Sequence, residues 1–207
     1  MSERSVDVVV FDIGGVLLDW SPDYLYRELI PDAGQREHFL TKIATPSWNQ
    51  QQDAGRTWAE AVAELSSLHP EHAEWIEAYD TGWLQMAKGI FEDTAAVLTE
   101  LRELGVPTYA LTNFSAEKWE VAKASFPILT QFDGEVVSGA EQTVKPHEKI
   151  FRILIERFDL DPARTFYTDD MQYNVDGARA VGLDAEQFTD PATLRKQLRE
   201  RGLPLRP

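Results

Sequence analysis

Hydrophobic positions along this 207-residue chain change their period twice. The opening run VDVVVFD, residues 6–12, is β-branched and continuous, and it ends on Asp followed by Ile and Gly-Gly. That pattern predicts a buried strand leading into a tight turn. From Ser21-Pro22, a helix start with proline in the first helical position, to about Gly89 the pattern is helical. Ala59, Val62, Ala63 and Leu65 make an apolar stripe after Gly55, and Ala73, Ile76, Tyr79, Trp83 and Leu84 recur at helical spacing after Pro70. Past Phe91 the two periods alternate. Residues 92–104 read as a helix closed by Gly105, 106–111 as a strand, 116–125 as a helix and 135–137 as a short strand. Residues 148–158 read as a helix, 165–168 as a strand, and 173–181 as a helix ended by Gly182.

Strands alternating with helices imply an α/β fold with a Rossmann-like parallel sheet covered on both faces. The alternation is interrupted by roughly 75 helical residues, far more than an ordinary crossover holds. The simplest reading is a helical cap at 18–90 inserted into a core made of 1–17 and 91–207. In open parallel sheets the ligand crevice lies beyond the carboxyl ends of the strands. Asp12, Thr112 and Asp169 all fall just past expected strands, so one fold argument brings them to the same rim.

Composition narrows the function classes. The chain is 43% hydrophobic and 27% charged, ordinary for a globular protein. With 20 basic and 35 acidic side chains its formal charge is −15, which argues against nucleic acid as a partner. The same field repels a phosphorylated metabolite at long range, so a site for one has to reverse the local sign with a cation and a few basic side chains. There is no cysteine, hence no disulfide, thiolate metal site or cysteine nucleophile. The start, MSERSVD, lacks the apolar run of a secretory signal and no stretch approaches membrane-spanning length. A cytoplasmic protein with no membrane partner is the expectation; the oligomeric state is left open.

Four motifs then carry a resemblance: VVVFDIGGVLLD at 8–19, ALTN at 110–113, VKP at 144–146 and YTDDMQYNVDGA at 167–178. In this order, each at an expected element boundary, they make the chain similar to hydrolases of the haloacid dehalogenase (HAD) superfamily with a helical, C1-type cap. The resemblance implies a phosphatase in which Asp12 attacks phosphorus and forms an aspartyl phosphate that water later hydrolyses. It implies Lys145 as an ammonium between Asp12 and the phosphate, and Thr112 and Asn113 as hydrogen-bond donors to phosphate oxygens. It implies Mg²⁺ as cofactor, held by Asp12, the main-chain carbonyl of Gly14, and one or both of Asp169 and Asp170, with Asp170 favoured for direct coordination. Asn174 and Asp176 are candidates to support the metal aspartates, although each also fits a polar helix face. Pro146 fits a first helical position, Ser115 the N-cap of the helix at 116–125, and His147 a surface helix start.

One position departs from the family pattern. Phosphatases of the superfamily carry a second aspartate two residues after the nucleophile, and here that residue is Gly14. Glycine transfers no proton, and such help is worth about 10²–10⁴-fold. The FDxG arrangement is similar to that of some helical-capped sugar-phosphate phosphatases, which keeps a small phosphoester, such as a sugar phosphate, as the expected substrate. Without that acid, good leaving groups should be preferred, or the cap or the substrate should supply the proton. Trp20, Trp48, Arg56 and Trp58 are cap candidates for substrate selection, against a background in which most tryptophans are packing residues. Two alternatives stand beside the phosphatase: a metal-free 2-haloacid dehalogenase, against which the Asp169-Asp170 pair speaks, and a non-catalytic protein that binds a phosphorylated ligand or another protein.

Overall fold

The β-branched run becomes the central strand, β1 (Val8–Phe11), of a five-stranded sheet in a computed structural model that describes residues 5–206. The first four residues of the MSERSVD start lie outside that range. A second strand, β2 (Leu18–Trp20), leads to the helices α1 (Pro22–Leu29), α2 (Ala33–His38), α3 (Pro46–Asp53), α4 (Trp58–Leu68) and α5 (Ala73–Thr81). The chain returns through β3 (Ala87–Ile90) and continues as α6 (Glu92–Glu103), β4 (Thr108–Thr112), α7 (Ala116–Ser125), β5 (Gly134–Val137) and α8 (Ser138–Glu141). It ends with α9 (Glu148–Arg157), β6 (Thr165–Asp169), α10 (Gln172–Ala180), β7 (Asp184–Gln187) and α11 (Pro191–Glu200).

The sheet order is β5-β4-β1-β6-β7 and every pairing is parallel. Val9, Val10 and Phe11 are wholly buried because helices cover both faces, the condition under which a strand reads as a continuous apolar run. On one face Val9, Phe11, Leu98, Leu101, Trp119 and Leu198 share a core; on the other Val10, Leu111, Phe151, Leu154 and Val175 share a second. β1 has neighbours of later sequence on both sides, so the strand order reverses at its carboxyl end, where a crevice is expected.

The helical stretch has its own core. Leu25, Tyr26, Phe39, Trp48, Trp58 and Tyr79 pack together, with Trp58 and Tyr79 stacked at 5.6 Å between ring centroids. Local chemistry starts its helices as expected. Ser21 Oγ accepts from the Asp23 N–H ahead of Pro22, and Thr57 and Glu60 form a reciprocal capping box.

Several expectations are corrected. Residues 87–90, read as the end of the helical stretch, are a strand paired antiparallel with β2, so a two-stranded ribbon carries the chain out of and back into the sheet region. Trp83 and Leu84, assigned to the second helical stripe, lie beyond α5 in a 3₁₀ turn. Pro146 is in a turn two residues ahead of α9, not at its first position. The strand β7 and helix α11 lie beyond the last element the pattern predicts; β7, with Asp184, Glu186 and Gln187 around one buried alanine, has no apolar period to announce it.

Candidate active site

The site begins where β1 stops. The Asp12 N–H still donates to the Thr168 carbonyl at 2.9 Å, which extends the ladder by one residue and points Asp12 out of the sheet edge. The chain then turns within three residues: the N–H groups of Leu17 and Leu18 both reach the Ile13 carbonyl at 2.8 Å. Gly15 adopts φ +75°, and a Cβ on it would lie 2.7 Å from Asp170 Oδ2. Glycine is required there twice over, for conformation and for close approach of the carboxylate. A Cβ on Gly14 would meet nothing within 4 Å.

Lys145 is 1% exposed, an unusual state for a lysine, and three acceptors surround its ammonium. Nζ donates to Asp12 Oδ1 at 2.8 Å, to Asp169 Oδ2 at 2.7 Å and to the Leu111 carbonyl at 3.0 Å. Its backbone is held by Asn113, whose Oδ1 accepts from the Lys145 N–H and whose Nδ2 donates to the Lys145 carbonyl. Gly177 lets α10 approach the same turn, since a Cβ there would stand 2.7 Å from the Pro146 carbonyl.

Asp169 is fully buried and saturated. Besides Lys145 it accepts from the Tyr167 hydroxyl, the Met171 N–H at 2.9 Å and Asn174 Nδ2 at 3.0 Å. Asp12, Asp169 and Asp170 each offer an oxygen within 4.8 Å of the others'. Burial, then the charge of Asp169, push the Asp12 carboxyl well above its usual range, against the pull of Lys145. Burial and Asp169 also raise Asp170. Burial alone would lower Lys145 and raise Asp169, but their mutual attraction, joined by Asp12 on the lysine side, wins in both: the ammonium is held above its ordinary range and Asp169 below. Two raised carboxylates beside a third that stays charged form a set of hard oxygen donors short of positive charge, the environment that suits a small divalent cation.

These groups open into a cavity of about 480 Å³ lined by Asp12, Gly14, Lys145 and Asp170 from the sheet side and by Pro46, Gln50 and Asp53 from α3. A second, more apolar pocket adjoins it, lined by Trp20, Trp58, Trp83 and Phe114. Gly14, Trp20, Asp53 and Asn113 border both.

Of the residues singled out in the sequence, Asp12, Gly14, Asn113, Lys145 and Asp170 line the cavity. Asp169 touches Lys145 from beneath, and Thr112, the last residue of β4, is buried without lining the cavity. Asn174 bonds Asp169, whereas Asp176 is exposed with partners Gln172 and Arg179 on its own helix. Trp20 and Trp58 face the pockets; Trp48 is in the helical core, and Arg56 is bonded to Gln52 and Glu64. Ser115 caps α7 and also accepts from Trp58 Nε1 at 3.0 Å, tying the helical stretch to the sheet side. The sequence reading missed Asp53, Tyr167, Trp83 and Phe114. Tyr167 stands two residues before Asp169 on a strand, so the two side chains share a face, which is a usable signal; the other three had none.

Comparison with known proteins gives the family and the fold. The family model "haloacid dehalogenase-like hydrolase" matches residues 6–182. A sesquiterpene phosphatase of Aspergillus oryzae is 27% identical over 92% of this chain and 94% of its own length. Acyl-CoA dehydrogenase family member 10 of Mus musculus is 32% identical over 94% of this chain, which spans only 19% of that protein. An HAD family enzyme of Bacteroides thetaiotaomicron, solved as a magnesium complex, superposes with a TM-score of 0.72 at 21% identity, covering 89% of this chain and 93% of that one. L-2-haloacid dehalogenase of Xanthobacter autotrophicus superposes at 0.64 with 18% identity, over 94% of this chain and 83% of that one. The match over residues 6–182, on a five-stranded parallel sheet of the same fold, shows that this chain is an enzyme of the haloacid dehalogenase-like hydrolase family.

Proposed function

We propose that the protein is a magnesium-dependent phosphomonoester hydrolase working through an aspartyl phosphate on Asp12. The observation that carries this reading is the Lys145 ammonium, buried and bonded to both Asp12 and Asp169, beside three carboxylates close enough to share a cation. A displacement at a halogenated carbon has no use for three acidic groups; an attack by one anion on another does.

In this reading Asp12, Asp170 and the Gly14 carbonyl hold the ion, with Asp169 behind them. Mg²⁺ would supply positive charge to the phosphoryl oxygens. Asp12 attacks phosphorus. Lys145 offsets the repulsion between carboxylate and phosphate and keeps Asp12 oriented. Asp169, Tyr167 and Asn174 fix the ammonium and are positioning residues. Asn113, which lines the cavity at the end of β4, is the phosphate-side donor the geometry favours, since it retains one Nδ2 hydrogen after serving Lys145, and Thr112, buried beside it, is assigned the same role by the family pattern alone. We divide the chain into a core of 1–17 and 91–207 and a C1-type cap of 18–90, with the β2–β3 ribbon as their junction. The aromatic pocket favours a phosphate ester whose leaving group presents an apolar or stackable face, and the sesquiterpene phosphatase is consistent with that class. No described helix is long and apolar enough to cross a membrane.

The test is a screen of sugar, aryl and apolar alkyl phosphates with Mg²⁺ and with EDTA, alongside halide release from 2-haloacids. Phosphate release that needs the ion and disappears in Asp12→Asn is the expected result. Halide release insensitive to EDTA would replace this reading with the dehalogenase one.

A further inference from the structure

The phosphatase reading leaves its leaving group without a proton donor, because position 14 is glycine. The two adjoining pockets identify where a donor has to stand. With the phosphoryl group beside Asp12 and Lys145 and the rest of the ester in the aromatic pocket, the scissile oxygen lies at their junction. Four residues border both pockets: Gly14, Trp20, Asp53 and Asn113. An indole, a carboxamide and a glycine do not exchange protons at neutral pH, and no histidine lines either pocket.

We propose that Asp53, at the end of α3, is the general acid and base of the reaction, delivered from the helical segment in place of the aspartate absent at position 14. Asn49 Nδ2 holds its Oδ2 at 3.2 Å, and Ser138 Oγ donates to its main-chain carbonyl at 2.5 Å. The carboxyl is thus held from within α3, and the backbone that carries it is tied to the sheet side. Position 14 leaves open space in which another residue's carboxyl can work.

Burial pushes the Asp53 carboxyl up to about 7, with the main chain at Ser115 opposing, so both protonation states are populated near neutrality. Around it stand Tyr79 on α5 and Lys118 on α7, the latter paired with Asp80. Asp12, Lys145 and Asp170 face it across the cavity.

In the first step an Asp12 oxygen bonds to phosphorus, the bond from phosphorus to the leaving oxygen breaks, and the Asp53 proton passes to that oxygen. In the second, Asp53 takes a proton from water as its oxygen bonds to phosphorus. The bond from Asp12 to phosphorus then breaks, inorganic phosphate leaves, and both aspartates return to their starting states.

The inference rests on the phosphatase reading, and the experiment separates the two. First-turnover rates with Mg²⁺ are measured for wild type, Asp53→Asn and Asp53→Asn/Gly14→Asp, on 2,4-dinitrophenyl phosphate and on the best alkyl phosphate of the screen. Asp53→Asn should lose about 10²–10³-fold on the alkyl ester. It should keep a stoichiometric burst of dinitrophenolate and then stall, because water is no longer activated. Adding Gly14→Asp should recover at least tenfold on the alkyl ester, which a merely structural role for Asp53 would not allow. Equal losses on both esters, no loss on the alkyl ester, or wild-type turnover confined to the dinitrophenyl ester would overturn the assignment and leave the phosphatase standing. No phosphate release by wild type from any ester would overturn both.

Discussion

Asn113 and Lys145 hold each other through two reciprocal hydrogen bonds, the Lys145 N–H donating to Asn113 Oδ1 at 2.7 Å and Asn113 Nδ2 donating to the Lys145 carbonyl at 3.0 Å. The second and third motifs are thus one mechanical unit, and Asn113 orients the buried ammonium from its backbone end. Asn113→Ala leaves two polar groups at this turn without partners. It should cost ~1–3 kcal/mol of stability, measured by denaturant unfolding, because unsatisfied buried groups carry their full desolvation penalty. It should also lower phosphate turnover ~10–100-fold as Lys145 loses its register. Asn113→Asp keeps the acceptor for the Lys145 N–H and should recover part of the stability but little of the activity.

Asp12 and Asp170 both hold protons more tightly than free carboxyls do, and burial plus the charge of Asp169 are the causes. A cation has to displace those protons, so the stabilisation by Mg²⁺ should grow with pH. Thermal unfolding with and without Mg²⁺ should show a small shift at pH 5 and a large one at pH 8, reversed by EDTA. At ~100 times its dissociation constant the ion should add ~2.7 kcal/mol. A shift that shrinks as pH rises would place the ion elsewhere.

Gly14 and Gly15 look alike in sequence and should behave oppositely. Gly14→Ala adds a Cβ to open space and should leave the melting temperature within a degree or two. Gly15→Ala combines positive φ with a contact 2.7 Å from Asp170 Oδ2 and should cost ~1–3 kcal/mol, with weaker Mg²⁺ affinity because the carboxylate is displaced. Melting curves and Mg²⁺ titrations of the two variants make the comparison.

Asp53 carries a stability signature independent of kinetics. Its folded pKa, about 7, lies above the ordinary 3.8 because of burial. The unfolded chain therefore loses this proton first, and the native state is penalised as pH rises between those values. Asp53→Asn removes the penalty. The variant should match wild type near pH 4 and exceed it by ~1–3 kcal/mol at pH 8, after allowance for partial exposure. Stability profiles that stay parallel from pH 4 to 8 would show that Asp53 is not held protonated.

Much of the site was legible because motifs at strand ends need no tertiary information to be recognised. Asp12, Lys145, Asn113, Asp169 and Asp170 were all named from the chain, and the fold gathers them around one cavity rim. Less legible was which of the acidic pair faces the cavity. Both are aspartates after a strand, but their side chains leave on opposite sides, so Asp169 is buried on Lys145 while Asp170 lines the cavity.

By itself the sequence determined the α/β class, the parallel core and the family, because continuous apolar runs, helical stripes and motif order are local or nearly local signals. Only the tertiary structure decided what is shared between distant segments. The β2–β3 ribbon pairs residues about 70 apart, and the two stretches carry no common period. Asp53 sits in a polar run, WNQQQD, where nothing marks it as more than a helix end. Its place at the junction of two pockets comes from packing α3 against α8, and burial there is what raises its pKa. A carboxyl acquires such properties from the atoms that replace its water, and those atoms are set by the fold rather than by its neighbours in the chain.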